Sequence, residues 1–135
     1  KTTVITDNMV AWTMSQKDID LFTSAADTIC MDGNIVNKVG TLQIAILCRH
    51  FGIPYFVTGI PDIDKLKKDI VIEERNPNEV LEFNNLKNTL NGVEAYYPAF
   101  DITPPYLVNG VVTDKKIFSP YNLDEYFKDD IEQYY

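Results

Sequence analysis

Between Ala25 and Thr41 the chain reads AADTICMDGNIVNKVGT, and the chemistry-bearing residues cluster there. Asp27 follows an apolar run, Gly33 interrupts a short acidic turn, and Asn37-Lys38 precede Gly40 and an amphipathic segment. A carboxylate at the end of a strand can act as a general acid or base when partly withdrawn from water. It can equally tie down a turn, as aspartates often do. Lys38 supplies a charge suited to a phosphate, and Asn37 can hydrogen-bond a hydroxyl. An exposed lysine in a loop is, by contrast, usually only solvated. Gly33 and Gly40 suit a tight turn and a close backbone approach, but their spacing is neither a Walker nor a dinucleotide fingerprint.

The elements around this stretch decide what it can do. Thr2–Thr6 reads as a short β-rich run, and Asp7–Gln16 as a helix carrying Met9, Val10, Trp12 and Met14. Ile19–Ala25 is nearly continuous in apolar residues, as expected of a strand buried on both faces. Leu42, Ile44, Ala45, Leu47, Cys48 and Phe51 form one broad helical stripe that Gly52 closes, and Ile53–Gly59 supplies another buried strand. Strand, helix, strand, helix, strand with short connections predicts an α/β fold: a Rossmann-like parallel sheet with helices on both faces. In such sheets ligands sit beyond the carboxyl ends of the strands, where helix N-termini present free N–H groups. Asp27 and Asn37-Lys38 would lie there, as a loop leading into the helix.

Past Gly59 the pattern loosens through a charged loop, Ile60–Asp69, before IVIEE (Ile70–Glu74) offers a short strand. Asn76-Pro77-Asn78-Glu79 is a helix start, predicting a helix from Pro77 to Leu90 that Asn91-Gly92 ends. Thr103 and Pro104 repeat the logic, with Gly110 as a stop and Val111–Thr113 as a strand. In the tail, Leu123, Tyr126, Phe127, Ile131 and Tyr134 fall at helical spacing opposite acidic residues and should dock on the body.

Composition bounds the function. The 135 residues suit one domain, residues 1–135, with a real core. A net charge of −8 repels nucleic acid and anionic membrane, so neither is an expected partner. Four of those eight charges fall between Asn122 and Tyr135, leaving the body only mildly acidic and a local anion site possible. No apolar run approaches the roughly 20 residues a bilayer requires, and two cysteines are too few for a disulfide scaffold. The cytoplasm is the expected address.

The segments VITDNMVAWTM, SAADTICMDGNIVNKVGTLQIAILCRHFGIPYFV, IEERNPNEV and YYPAFDITPPYLVNGVVTDK occur in this order and cover most of the chain. Together they resemble the C-terminal part of 5-methylthioribose-1-phosphate isomerases of methionine salvage. That superfamily also holds ribose-1,5-bisphosphate isomerases and the regulatory subunits of translation initiation factor 2B. The resemblance implies conversion of 5-methylthioribose 1-phosphate to 5-methylthioribulose 1-phosphate without metal or organic cofactor. It places the family's catalytic aspartate on Asp27 and its substrate-contacting Asn-Lys on Asn37 and Lys38. Opening the furanose requires a proton at the ring oxygen, which a carboxyl group drawn out of water can supply. Lys38 and the helix N-terminus would hold the phosphate. Ala26 replaces the usual glycine and CMDGN the commoner AANGD. The exchange-factor subunits typically carry glutamate where this chain has Asp27, which favours the enzyme branch.

The resemblance also implies an absence. The family's catalytic cysteine belongs to an upstream strand, and an N-terminal domain adds phosphate contacts; neither Cys30 nor Cys48 takes that cysteine's place. Cys30 fits a small turn residue better than a reactive thiol, Cys48 falls on a helix's apolar face, and His50 suits a helix C-terminus. The aromatic residues of YYPAF suit core or dimer contact better than a cofactor box. The expected state is therefore a C-terminal portion with an uncovered sheet edge, inactive alone, forming a homodimer or requiring a complementing N-terminal half. The alternative is a non-catalytic regulatory or dimerisation module, or a fragment of a ribose-1,5-bisphosphate isomerase.

Overall fold

The computed structural model describes residues 1–128. A single 3-10 turn at Asp7–Met9 runs into helix α1 (Val10–Gln16), followed by strands β1 (Phe22–Ala25), β2 (Thr28–Ile29) and β3 (Ile35–Lys38). Helix α2 (Thr41–Phe51) leads to β4 (Tyr55–Thr58). After a long loop come the short helix α3 (Asn78–Leu81) and the hairpin β5 (Glu82–Phe83) and β6 (Leu86–Lys87). Strands β7 (Phe100–Thr103), β8 (Gly110–Val112) and β9 (Ile117–Phe118) and helix α4 (Glu125–Lys128) complete the described chain.

The fold is α/β, and its main sheet runs β1-β4-β8-β9. β4 pairs in parallel with both β1 and β8, while β9 returns antiparallel to β8. The run Ile53–Gly59 supplies this centre with Tyr55 and Val57, which like Val111 have no exposed surface. Ile19–Ala25, expected to be buried on both faces, instead gives the edge strand β1, whose residues alternate between half-buried and exposed because it has a partner on one side only. Phe22 lies opposite Tyr55 in register and stacks on it, ring centroids 4.6 Å apart. On α2, Ala45 and Cys48 join the same core cluster as Ile29, Ile35, Leu107 and Phe118. Burying a side chain of this size contributes about 1.5–3 kcal/mol. Gly52 ends α2 at φ +71, which lets the Ile53 N–H close onto the Cys48 carbonyl at 2.9 Å.

A second sheet, β2-β3-β7, is entirely antiparallel. This corrects one expectation: Asn37 and Lys38 end a strand rather than forming a loop. Their partners, Asp101 and Phe100, are supplied by β7 some sixty residues later, so no local pattern announces the pairing.

Other expectations fail where tertiary partners are lacking. Thr2–Thr6 forms no strand and lies exposed. Ile70–Glu74 contributes only the bridge of Glu74 to Pro98. The helix expected from Pro77 to Leu90 stops at Leu81. Asn76 does accept the Asn78 N–H at 3.0 Å, as a cap should. Beyond it Val80, Phe83, Leu86 and Leu90 are exposed, so the apolar face has nothing to bury against, and such a helix is marginal. Asn84 and Asn85, at φ +51 and +62, instead form the two-residue turn of the β5–β6 hairpin. The helix expected at Pro104 is one 3-10 turn, Pro105–Leu107, and the strand after it occupies Gly110–Val112. In the tail Leu123 and Tyr126 are buried in the core cluster as expected; Ile131 and Tyr134 lie outside the described residues.

Among the described residues β1 forms one edge of the main sheet, paired on one side only. No helix there is long and apolar enough to cross a membrane.

Candidate functional site

Asp27 stands two residues beyond the carboxyl end of β1, with its side chain exposed to solvent. Its N–H is bonded to the Val36 carbonyl at 2.9 Å, although the ladder pairs Val36 with Thr28. The register therefore breaks at Asp27, and the backbone bond fastens its turn to the strand that ends in Asn37 and Lys38. Successive strand residues face opposite sides, so Asn37 and Lys38 diverge at the tip of β3. Lys38 Nζ lies 4.9 Å from the centroid of the Phe100 ring opposite it, and Asn37 turns toward α2. A ligand touching both would straddle the end of the strand at Val39-Gly40.

The turn between β3 and α2 is held from two directions. Asn37 Nδ2 donates to Thr41 Oγ1 at 3.1 Å, and the Thr41 hydroxyl donates to the Lys38 carbonyl at 2.7 Å. From β7, the Asp101 carboxylate accepts the Gly40 N–H at 2.7 Å and the Leu42 N–H at 3.0 and 3.1 Å to its two oxygens. Burial pushes the Asp101 carboxyl above the usual aspartate range, against the pull of those two N–H donors. Gly40 takes φ +107, which only glycine adopts without strain.

Asp101 changes the electrostatic reading of the helix end. The N–H groups expected to receive a phosphate already bond a carboxylate. An open depression of about 490 Å³ lies against this end, with Asp7, Gly40, Gln43, Ile46 and Asp101 in its wall. Its charged residues are both carboxylates, and neither Asp27 nor Lys38 lines it. A phosphate dianion there would meet like charge, so of the two groups expected to hold one, only Lys38 is suited.

Asp101 was not singled out from the sequence. The signal available was a charged residue inside the otherwise apolar strand FDIT, which needs a specific partner when half-buried. Gly33 belongs to the scaffold: at φ +79, a Cβ there would stand 2.3 Å from the Pro120 carbonyl oxygen. Cys30 and Cys48 are both buried, and burial pushes each thiol up to about 11, helped at Cys30 by the charges of Asp32, Asp62 and Asp69. Neither is a nucleophile near neutral pH. His50 lies in the last turn of α2, edge-on to Phe51. Of the YYPAF residues, Ala99 is buried, Tyr96 is 71% exposed, and Phe100 serves Lys38.

Residues 1–120 match the Initiation factor 2 subunit family. Over 127 residues the chain is 43% identical to a methylthioribose-1-phosphate isomerase of Bacillus pumilus, aligning 91% of this chain with 36% of that protein. A 5-deoxyribose 1-phosphate isomerase of Clostridium botulinum is 43% identical over 122 residues, 87% of this chain and 35% of its own length. Among solved structures, 5-methylthioribose 1-phosphate isomerase of Pyrococcus horikoshii superposes with a TM-score of 0.84 at 38% identity, covering 92% of this chain and 36% of that one. The delta subunit of translation initiation factor eIF-2B from A. fulgidus gives 0.79 at 33% identity, covering 87% and 35%. The chain thus spans about a third of the length of the relatives it matches.

Proposed function

Since the chain belongs to the Initiation factor 2 subunit family, we propose that it carries part of the site of an aldose–ketose isomerase acting on a pentose 1-phosphate, 5-methylthioribose 1-phosphate in the first instance. The observation that carries this is the bond from the Asp27 N–H to the Val36 carbonyl, which ties the backbone at Asp27 to the strand that bears Asn37 and Lys38. Similarity to isomerases of methylthioribose 1-phosphate and of 5-deoxyribose 1-phosphate supports the substrate class.

In this proposal Lys38 holds the phosphate on C1, and Asn37 bonds the neighbouring hydroxyl. Asp27, in its acid form, gives its proton to the ring oxygen as the bond from C1 to that oxygen breaks. The hydrogen on C2 ends on C1, and the 2-hydroxyl loses its proton as C2 becomes the ketone, so substrate and product are isomers. An exposed carboxylate needs cover to hold a proton at neutral pH, and the hydrogen transfer needs a second group. Both buried thiols are unsuited to that role, so in this proposal it falls to a complementing half or a second copy.

The edge of β1 is where such chain would add a strand. Among the described residues that edge has no partner, and an unpaired edge invites a further strand. It takes either a complementing N-terminal half or a second copy. The likeness to the eIF-2B subunit favours a second reading, a non-catalytic assembly module using the same edge.

Mixing this chain with the N-terminal portion of a related isomerase and assaying ketose formation separates the two. Product that Asp27→Asn abolishes, with association intact, supports the enzyme. Association without product, or product indifferent to Asp27→Asn, overturns it. The chain alone should form no ketose, and a sharp monomer peak in light scattering at tens of micromolar would count against the uncovered edge.

A further inference from the structure

Thr41 makes two hydrogen bonds that together fix which way the Asn37 amide points. Its hydroxyl has one proton, and that proton is committed to the Lys38 carbonyl at 2.7 Å. Toward Asn37 the oxygen can therefore only accept, so the amide presents Nδ2 to it at 3.1 Å and turns Oδ1 away. Thr41 is buried and cannot yield its place to water. Its backbone is pinned on both sides, because the N–H groups of Gly40 and Leu42 bond the Asp101 carboxylate. Among the described residues no hydrogen bond reaches Oδ1 of Asn37, which belongs to a half-buried side chain.

We propose that Thr41 is a positioning and specificity-determining residue: it locks Asn37 as a hydrogen-bond acceptor, so the site selects a sugar with a hydroxyl next to its phosphorylated carbon. This rests on the sugar-phosphate assignment above. In that assignment the ligand straddles the strand tip: the long side chain of Lys38 takes the phosphate on C1 from one side, and Asn37 Oδ1 meets the 2-hydroxyl from the other. An amide free to flip would present either an oxygen or an NH2 group and would discriminate poorly. The fixed acceptor rejects a ligand that cannot donate, because Oδ1 would be left unpaired.

The test is titration of the folded chain, alone and mixed with the N-terminal portion of a related isomerase, with ribose 1-phosphate and with 2-deoxyribose 1-phosphate. The unaltered chain should prefer the first by about tenfold. Thr41→Val should bring the ratio close to one while leaving affinity for the deoxy sugar unchanged, and Thr41→Ser should restore it. Thr41→Ala provides the same contrast should the valine variant fail to fold. A folded hydroxyl-free variant that keeps the tenfold preference, or an unaltered chain that shows none, overturns the role of Thr41. Binding of the deoxy sugar that Lys38→Met does not weaken, or no binding of either sugar, overturns the sugar-phosphate assignment instead.

Discussion

Asp101→Ala would remove the group that joins β7 to the start of α2. The carboxylate accepts two backbone N–H groups, from Gly40 and Leu42, at 2.7 to 3.1 Å. A helix cap of this kind is worth about 1 kcal/mol for one bond, and bonds to a charged acceptor roughly 1.5–3. Water can reach the half-buried turn and replace part of the loss, so the change should cost about 2 kcal/mol in total. For a domain of this size that is a fall of roughly 5–10 °C in the melting midpoint. Asp101→Asn keeps one acceptor and removes a charge that burial disfavours, so it should cost less than half as much.

The pH dependence follows from the raised carboxyl of Asp101. The folded chain holds that proton to higher pH than the unfolded chain does, so protonation favours folding. This contribution is fully present below the ordinary aspartate range and is lost as pH rises through the folded value. The stability advantage of the unaltered chain over Asp101→Ala should therefore shrink as pH rises from the ordinary aspartate range through the raised folded value. Urea titrations across that range, with amide exchange at Gly40 and Leu42, measure both effects. A midpoint for Asp101→Ala within about 1 °C of the unaltered chain, with those amides equally protected, would refute the capping role.

Three further outcomes are expected. Gly33→Ala should destabilise by about 3 kcal/mol or more in denaturant titration, since its Cβ would collide with the Pro120 carbonyl at a left-handed backbone position. At pH 8 an aromatic disulfide reagent should modify neither Cys30 nor Cys48 in the folded chain and both in urea; rapid reaction of the native protein would contradict their burial. Lys38→Met should weaken sugar-phosphate binding several-fold and flatten its salt dependence while leaving the melting midpoint unchanged, because the lysine is exposed and its ammonium lies over the Phe100 ring.

Much of the frame was legible in the residue pattern because its signals are local. Strands β1 and β4 lie within the runs Ile19–Ala25 and Ile53–Gly59, and these, like the stripe of α2 with its Gly52 stop, needed no distant partner to be read. The segments that misled depend on contacts far along the chain. Pro77–Leu90 has a good helical start but no surface to receive its apolar side. Asn37 and Lys38 precede a helix, as read, yet strand β7 draws them into a sheet. The occupied start of α2 was hidden for the same reason: the residue that fills it is sixty-one positions from Gly40 and carries no motif.

That separation has a practical consequence. Asp101 joins chain segments on either side, in sequence, of the β5–β6 hairpin, whose Phe83 and Leu86 are both 73% exposed. Cleavage at the Asn84-Asn85 tip would leave both pieces joined through the β3–β7 ladder and the carboxylate clasp. The tip is thus a natural point for splicing in a fluorophore or affinity handle, and the ends created there are where a rearranged chain order would start.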